Sequence, residues 1–145
     1  MGRLVFDQVP RVAQWVAERV GQDTSWGDCY AIGVEREGVL VSGVVVNNFN
    51  GSNATAHIAV ERPGKDMLAL FRAVCDYAFR HCKLKRLTGM VPASEPKTIA
   101  FDKRLGFEEE FVMQQAAHDG GALHLLVMWA SACRWLPNGG LNHGR

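Results

Sequence analysis

The 145-residue sequence has no surplus of either charge: 16 Lys and Arg stand against 15 Asp and Glu, a formal net charge of +1. A surface specialised for nucleic acid or for anionic membranes needs a clustered excess of one sign, so composition excludes both partner classes. Long apolar runs are absent as well. None approaches the roughly 18 residues of a spanning helix, although 48% of the residues are hydrophobic. The opening MGRLVFDQVPR has no charged leader followed by an apolar block, which predicts a cytoplasmic rather than a secreted protein. Metal-ligand spacing is missing too. Cys29, Cys75, Cys82 and Cys133 form no C-x-x-C pair, and His57, His81, His118, His124 and His143 are scattered along the chain. The expectation is buried reduced thiols and no metal site.

What the sequence does carry is periodicity. Residues 4–6 read as a short first strand. From Pro10, a residue suited to a first helical turn, Val12, Trp15, Val16 and Val20 recur at helical spacing until Gly21 closes the helix. QDTSWGD is a polar loop, residues 30–34 a strand, and Glu37-Gly38 a turn. Residues 39–46, β-branched and almost continuously apolar, predict a central strand covered on both faces. A turn cluster at 48–53 leads into a strand over 55–60. Thr55, His57 and Ala59 share one of its faces; Ala56, Ile58 and Val60 share the other. Past Arg62-Pro63-Gly64-Lys65, a long helix carries Met67, Leu70, Phe71, Val74, Cys75, Ala78 and Cys82 as its apolar stripe, with Arg72, Asp76 and Arg80 opposite. Residues 87–91 form a strand and 96–105 a helix stopped by Gly106. Residues 107–117 and 122–129 close the chain as a hairpin around Asp119-Gly120-Gly121. This order predicts one α/β (α+β) domain over residues 1–136, with a central mixed, mostly antiparallel sheet flanked by helices. Residues 137–145 are expected to be a mobile tail.

One loop has the character of an anion site. A chain running into a helix N-terminus offers unpaired backbone N–H groups and the positive end of a dipole, which suits a pyrophosphate. Here that loop is 62–68, where Gly64 permits close approach and Lys65 adds charge. An ordinary solvated strand-to-helix turn fits the same spacing.

The segments IAVERPGKDMLALFRAVCDYAF and RLTGMVPASEPKTIAFDKRLGF resemble the GNAT superfamily of acetyl-CoA-dependent N-acyltransferases. Val60 matches the strand end of that family and Leu105-Gly106-Phe107 its closing motif; the likeness spans roughly residues 30–130. The ending CRWL is similar to small phage and prophage members. The resemblance implies a GNAT-like fold, acetyl-CoA as co-substrate without a metal, and an amine acceptor attacking the thioester directly. It places the cofactor on Ile58, Val60, Arg62, Gly64, Lys65, Asp66, Met67 and Leu68, with an oxyanion donor among the backbone N–H groups near 58–60. Candidates for the base are His57 and Glu61, which share a strand face, and Glu95. Asn47, Asn48 and Trp26 line the acceptor cleft or are simply polar loop residues.

Several positions differ from the family pattern. Against its loop Q/R-x-x-G-x-G/A, Asp66 and Leu68 stand at glycine positions, and the Asp66 carboxylate takes the place of a phosphate. Glu95 replaces an asparagine. Asp102 replaces a frequent tyrosine acid, which leaves protonation of the departing thiolate to solvent. Two readings follow: an acetyl-CoA-dependent N-acetyltransferase acting on an unidentified amine, or a non-catalytic GNAT-fold phage structural or partner-binding protein that has lost the cofactor. Beyond acetyl-CoA and the amine, the partners consistent with these readings are a second copy of the chain or a virion component. A phage-encoded chain would then be virion-associated.

Overall fold

The run of β-branched residues at Val39–Asn47 becomes the third strand, an interior one, of a seven-stranded sheet in the computed structural model, which describes residues 2–22 and 25–136. The tail expected at 137–145 lies outside these residues. In chain order the elements are β1 (Arg3–Val5), α1 (Val9–Val20), β2 (Cys29–Arg36), β3 (Val39–Asn47), β4 (Asn53–Val60), α2 (Asp66–Cys75), β5 (Arg86–Pro92), α3 (Pro96–Leu105), β6 (Glu108–Met113) and β7 (Leu123–Trp129). The strands lie in the order β1-β2-β3-β4-β5-β7-β6. Neighbours pair antiparallel except β4 and β5, which are parallel. The expected mixed, mostly antiparallel sheet with helices on both faces is what forms. No helix among the described residues is long and apolar enough to cross a membrane.

Leu40 to Asn47 of β3 are all buried, because a helix covers each face of that strand. On one side α1 lays Val12, Ala13 and Val16 against Ala31, Leu40, Val45 and Ala59. The approach is close: a Cβ at Gly43 would stand 2.9 Å from Val16 and 3.1 Å from Val12. On the other side Leu70, Phe71 and Val74 of α2, with Ile99 and Leu105 of α3, pack on Val34, Val44, Leu87, Leu126 and Met128. Burial of these apolar side chains is the main force holding the layers together.

Three expectations need correction. The α2 stripe does not run to Cys82 as an α-helix. The helix changes to a π-helical turn over Asp76–His81, which rotates the phase so that Phe79 is fully buried beside Ala78 while Cys82 is only half-buried. The first strand is one residue earlier than expected, at Arg3–Val5. The closing hairpin keeps a turn at its tip, where the Gly120 N–H donates to the Ala117 carbonyl at 2.9 Å and the Ala117 N–H to the Gly121 carbonyl at 3.0 Å, but its strands are shorter than expected. β6 ends at Met113, Gln115 adopts a left-handed φ of 57°, and residues 114–122 form a loop in which the Asp119 carboxylate accepts a bond from the Gly121 N–H at 2.9 Å.

Phe71 is 6% exposed and meets the rings of Phe101 and Trp135 at 6.3 and 5.7 Å between centroids, whereas the Arg80 side chain faces water and pairs with the exposed Asp76 at 3.6 Å. Phe71→Ala should therefore cost about 3–5 kcal/mol in chemical denaturation, and Arg80→Ala should lie within about 0.5 kcal/mol of wild type. Equal losses would place the sheet-facing side of α2 elsewhere.

Candidate active site

β4 and β5 are paired over three residues only, Asn53 with Arg86, Ala54 with Leu87 and Thr55 with Thr88. Beyond Thr55, β4 stays with β3 as far as Val60, and β5 stays with β7 as far as Pro92. Two strand edges thus diverge and face each other across a gap, with backbone N–H and C=O groups that sheet pairing does not use. The gap is a cleft of about 500 Å3. It is lined by Arg19, Val20 and Gln22 from the α1 end, 56–61 of β4, 89–92 of β5, Glu95, Thr98 and Asp102 of α3, and 116–118 of the long loop. Because α1 covers one sheet face and α3 the other, the cleft connects the two faces.

His57 and Glu61 are on the α1 side. The Nε2 of His57 is 2.9 Å from Asn47 Oδ1, while Asn47 Nδ2 donates to the Trp26 carbonyl at 3.1 Å. With the amide in that orientation, Oδ1 accepts the Nε2–H and the lone pair is left on Nδ1. The Trp26 ring packs at 4.6 Å, and burial pulls the His57 pKa down to about 4, so the imidazole is neutral at pH 7. Trp26 and Asn47 therefore position His57, while Asn48 is exposed in the turn that follows β3. Glu61 is exposed and bound to Arg19 at 2.8 Å, and the guanidinium of Arg19 stacks 3.9 Å above Trp15. Glu95 stands exposed at the N-cap of α3 with no capping bond from its side chain. All three base candidates line the cleft, His57 from β4, Glu61 from just past its end and Glu95 from the N-cap of α3.

The cofactor candidates divide. Ile58 and Val60 line the cleft. Arg62, Gly64 and Lys65 are exposed outside its lining, Met67 is buried in the core, and Leu68 is 46% exposed. Asp66 is engaged within the chain. Its carboxylate accepts from Arg36 Nε at 2.8 Å and Nη2 at 2.7 Å, and also from the Gly2 backbone N–H. The bonded guanidinium holds the Asp66 carboxyl below the usual carboxylate range. Arg36 lies so close over Gly64 that any Cβ there would collide with it. The N–H groups of Met67 and Leu68 donate to Gly64 and Lys65 carbonyls, both at 3.1 Å. The α2 N-terminus thus has an anion of its own, and its amides are not arrayed as a vacant phosphate cradle. Arg36, Arg62 and Lys65 nevertheless leave the segment that leads into α2 with a positive excess over Asp66.

Asp102 is the residue sequence reasoning undervalued. Ile99, Asp102 and Leu105 are the buried residues of α3, so a carboxyl occupies the middle of an apolar stripe at i, i+3, i+6 spacing. That interruption was the available signal. Asp102 is 6% exposed and lines the cleft, and its Oδ1 has no hydrogen-bond partner among the described residues. Burial pushes its pKa up to about 7.

No protein-family model matches the sequence, and no match is found among curated proteins. Solved structures do match. A mutant of the spermidine N-acetyltransferase of Vibrio cholerae superposes with a TM-score of 0.74 at 13% identity, over 94% of this chain and 96% of that one. A dodecameric structure of spermidine N-acetyltransferase from the same organism gives 0.73 at 14% identity, over 99% and 98%. A probable acetyltransferase gives 0.61 at 19% identity, over 83% and 68%. At these identities the likeness is one of fold, and the fold is that of the GNAT acetyltransferases.

The two desolvated groups titrate with opposite consequences for stability. Between pH 4 and 7 the unfolded chain gives up the Asp102 proton that the folded chain keeps, so this group lowers stability as pH rises. Between pH 6.5 and 4 the unfolded chain takes up a proton that folded His57 refuses, so this group lowers stability as pH falls. Relative to wild type, Asp102→Asn should gain stability from pH 4 to 7, and His57→Gln should gain it from pH 6.5 down to 4. Each change is on the order of 3–4 kcal/mol at 1.36 kcal/mol per pKa unit. Denaturation curves at pH 4, 5.5 and 7 check both signs; parallel pH profiles for the two variants would contradict the assignment.

Proposed function

We propose that the chain is an acetyl-CoA-dependent N-acetyltransferase that passes an acetyl group to an amine by direct attack within the β4–β5 cleft. The observation that carries this reading is the gap itself: a passage through the sheet with an unused strand edge on each side, in a fold shared with N-acetyltransferases. An extended thioester arm satisfies a free β4 edge as a further strand would. Ile58 and Val60 supply the wall, and a backbone N–H in 58–60 meets the oxyanion. The thioester enters on the α2–α3 side, where Arg62, Lys65 and the Gly64 turn meet its phosphates alongside Met67 and Leu68. Asp66 belongs to that loop as a competitor of the phosphates.

The amine enters from the α1 side. A lysine-like amine, with pKa about 10.4, must lose a proton before it attacks. His57, neutral and carrying its lone pair on Nδ1, is the base that faces it. Glu61 and Glu95 attract a cationic acceptor to the cleft from its two ends. Spermidine, the acceptor of the fold's solved neighbours, is the first amine to test. The reading places the protein in the cytoplasm, where both substrates are at hand.

One observation favours a second reading, a non-catalytic partner-binding protein: the Arg36–Asp66 pair closes the α2 N-terminus against an outside anion. Ligand-induced stabilisation separates the two. Acetyl-CoA at millimolar concentration should raise Tm, because a ligand bound only to the folded chain adds RT ln(1 + [L]/Kd). Asp66→Ala should lower the Tm of the free protein and tighten acetyl-CoA binding severalfold, since it releases Arg36 and removes a like charge from the phosphates. If neither protein responds to acetyl-CoA, the non-catalytic reading stands.

A further inference from the structure

We infer that the sulfurs of Cys75, Cys133 and Met128 form a binding site for a soft monovalent metal ion, Cu(I), in the core between α2 and β7. The inference is independent of the transferase reading. Its residues come from separate parts of the chain: Cys75 ends α2, Met128 lies on β7, and Cys133 follows a 3-10 turn at Ala130–Ala132. Spacing along the sequence hides the cluster, since Cys75 and Met128 are 53 positions apart. Folding buries all of these side chains and brings their sulfurs together. Met128 Sδ lies 3.8 Å from Cys75 Sγ and 4.0 Å from Cys133 Sγ, and the two thiols are in contact with each other. Sulfurs that hold one metal at about 2.3 Å in a trigonal plane stand about 4.0 Å apart. The side chains are thus already spaced for ligation.

Sulfur contacts of this length also arise in ordinary cores. Packing does not account for the surroundings of Cys133. The backbone N–H groups of Trp135 and Leu136, two and three residues further on, both donate to its Sγ, and the Arg134 guanidinium adds a positive charge near it. Donors of this kind stabilise a thiolate, the form in which cysteine binds a metal. Beside Cys75 and Met128 lies a cavity of about 20 Å3 with apolar walls, which gives the sulfurs room to close on an ion.

The ligand set chooses the metal. Among the described residues no three of His, Cys, Asp and Glu converge, so a full zinc shell is not at hand. Thiolate and thioether sulfurs are soft and suit Cu(I). The step balances without an oxidant: each thiol releases its proton to water as its sulfur donates a lone pair to the ion. A monovalent cation on a pair of thiolates leaves one negative charge, which Arg134 offsets. Entry requires local opening of the segment 130–136, which is held to the core by buried Leu136 and by Trp135, whose indole N–H donates to the Leu105 carbonyl at 2.7 Å. A bound ion would fasten that segment to α2.

Competition with a chromophoric chelator tests the site on the full chain. Cu(I) is offered anaerobically as its bicinchoninate complex. Wild type should withdraw one equivalent, its Tm should rise, and X-ray absorption should show sulfur ligands only, at about 2.3 Å. Met128→Leu, which keeps the core volume, should weaken binding by more than about tenfold, and Cys75→Ala or Cys133→Ala should abolish withdrawal. Replacing Cys29 and Cys82, the half-buried thiols outside the cluster, with serine should leave it unchanged. A wild type that withdraws no Cu(I) overturns the inference, as does withdrawal that is lost with Cys29 and Cys82. A Met128→Leu protein that binds like wild type, or an absorption spectrum with nitrogen or oxygen ligands, overturns it as well. The wild-type and Met128→Leu measurements decide the question even where a cysteine variant fails to fold.

Discussion

Strand β4 is held along its outer side by β3 and strand β5 by β7. In between, three residue pairs join the two halves of the sheet. The junction is pinned at its closed end. Thr88 Oγ1 donates to Asn53 Oδ1 at 2.7 Å, and the N–H groups of Lys85 and Arg86 both reach the Ser52 carbonyl, at 2.8 and 3.2 Å. Antiparallel pairing is slightly the stronger per residue, and right-handed twist accumulates across each half, so each strand follows its antiparallel partner away from the other. The proposed acetyl transfer depends on this divergence. It exposes two sheet edges inside the protein rather than at its rim, and the helices on either face make the opening a passage.

Under the proposed transferase reading, the same architecture would divide the work of binding between two places with different electrostatics. The gap offers backbone groups and apolar walls. The α2 N-terminus, the other natural anion site, is satisfied from within: Arg36 on β2 and Gly2 at the chain start both bond Asp66, which staples the N-terminal strands to α2. That staple stabilises the free protein and competes with an incoming phosphate. On this account the strand edges carry most of the affinity for an acyl donor, and the charged loop tunes it.

Much of the fold was legible because its signals are local. The continuous apolar run of β3, the helical stripes of α1 and α2, and the stop at Gly106 each follow from neighbours in sequence. The candidate site was only half legible. Alternation along β4 correctly set His57 and Glu61 on one face and Ile58 and Val60 on the other. Nothing local, however, shows that Arg36, thirty positions away, claims Asp66, or that Asn47 and Trp26 converge on His57. The π-helical turn at Asp76–His81 was also hidden, since its stripe differs from an α-helical one by a single added residue per turn. Asp102 was visible as a sequence departure. Its burial without a partner depends on the packing of α3 against the sheet, which only the assembled fold supplies.

The central claim is that the β4–β5 gap receives the thioester arm, and amide hydrogen exchange tests it with no acceptor identified. Adding CoA to the intact protein should slow exchange in peptides covering residues 56–60 and 89–92, where the free strand edges become bonded, and leave the aromatic cluster of Tyr30 and Tyr77 at the other end of β2 unchanged. Unaltered exchange in both strands while CoA protects another segment, or protects none, would contradict the account.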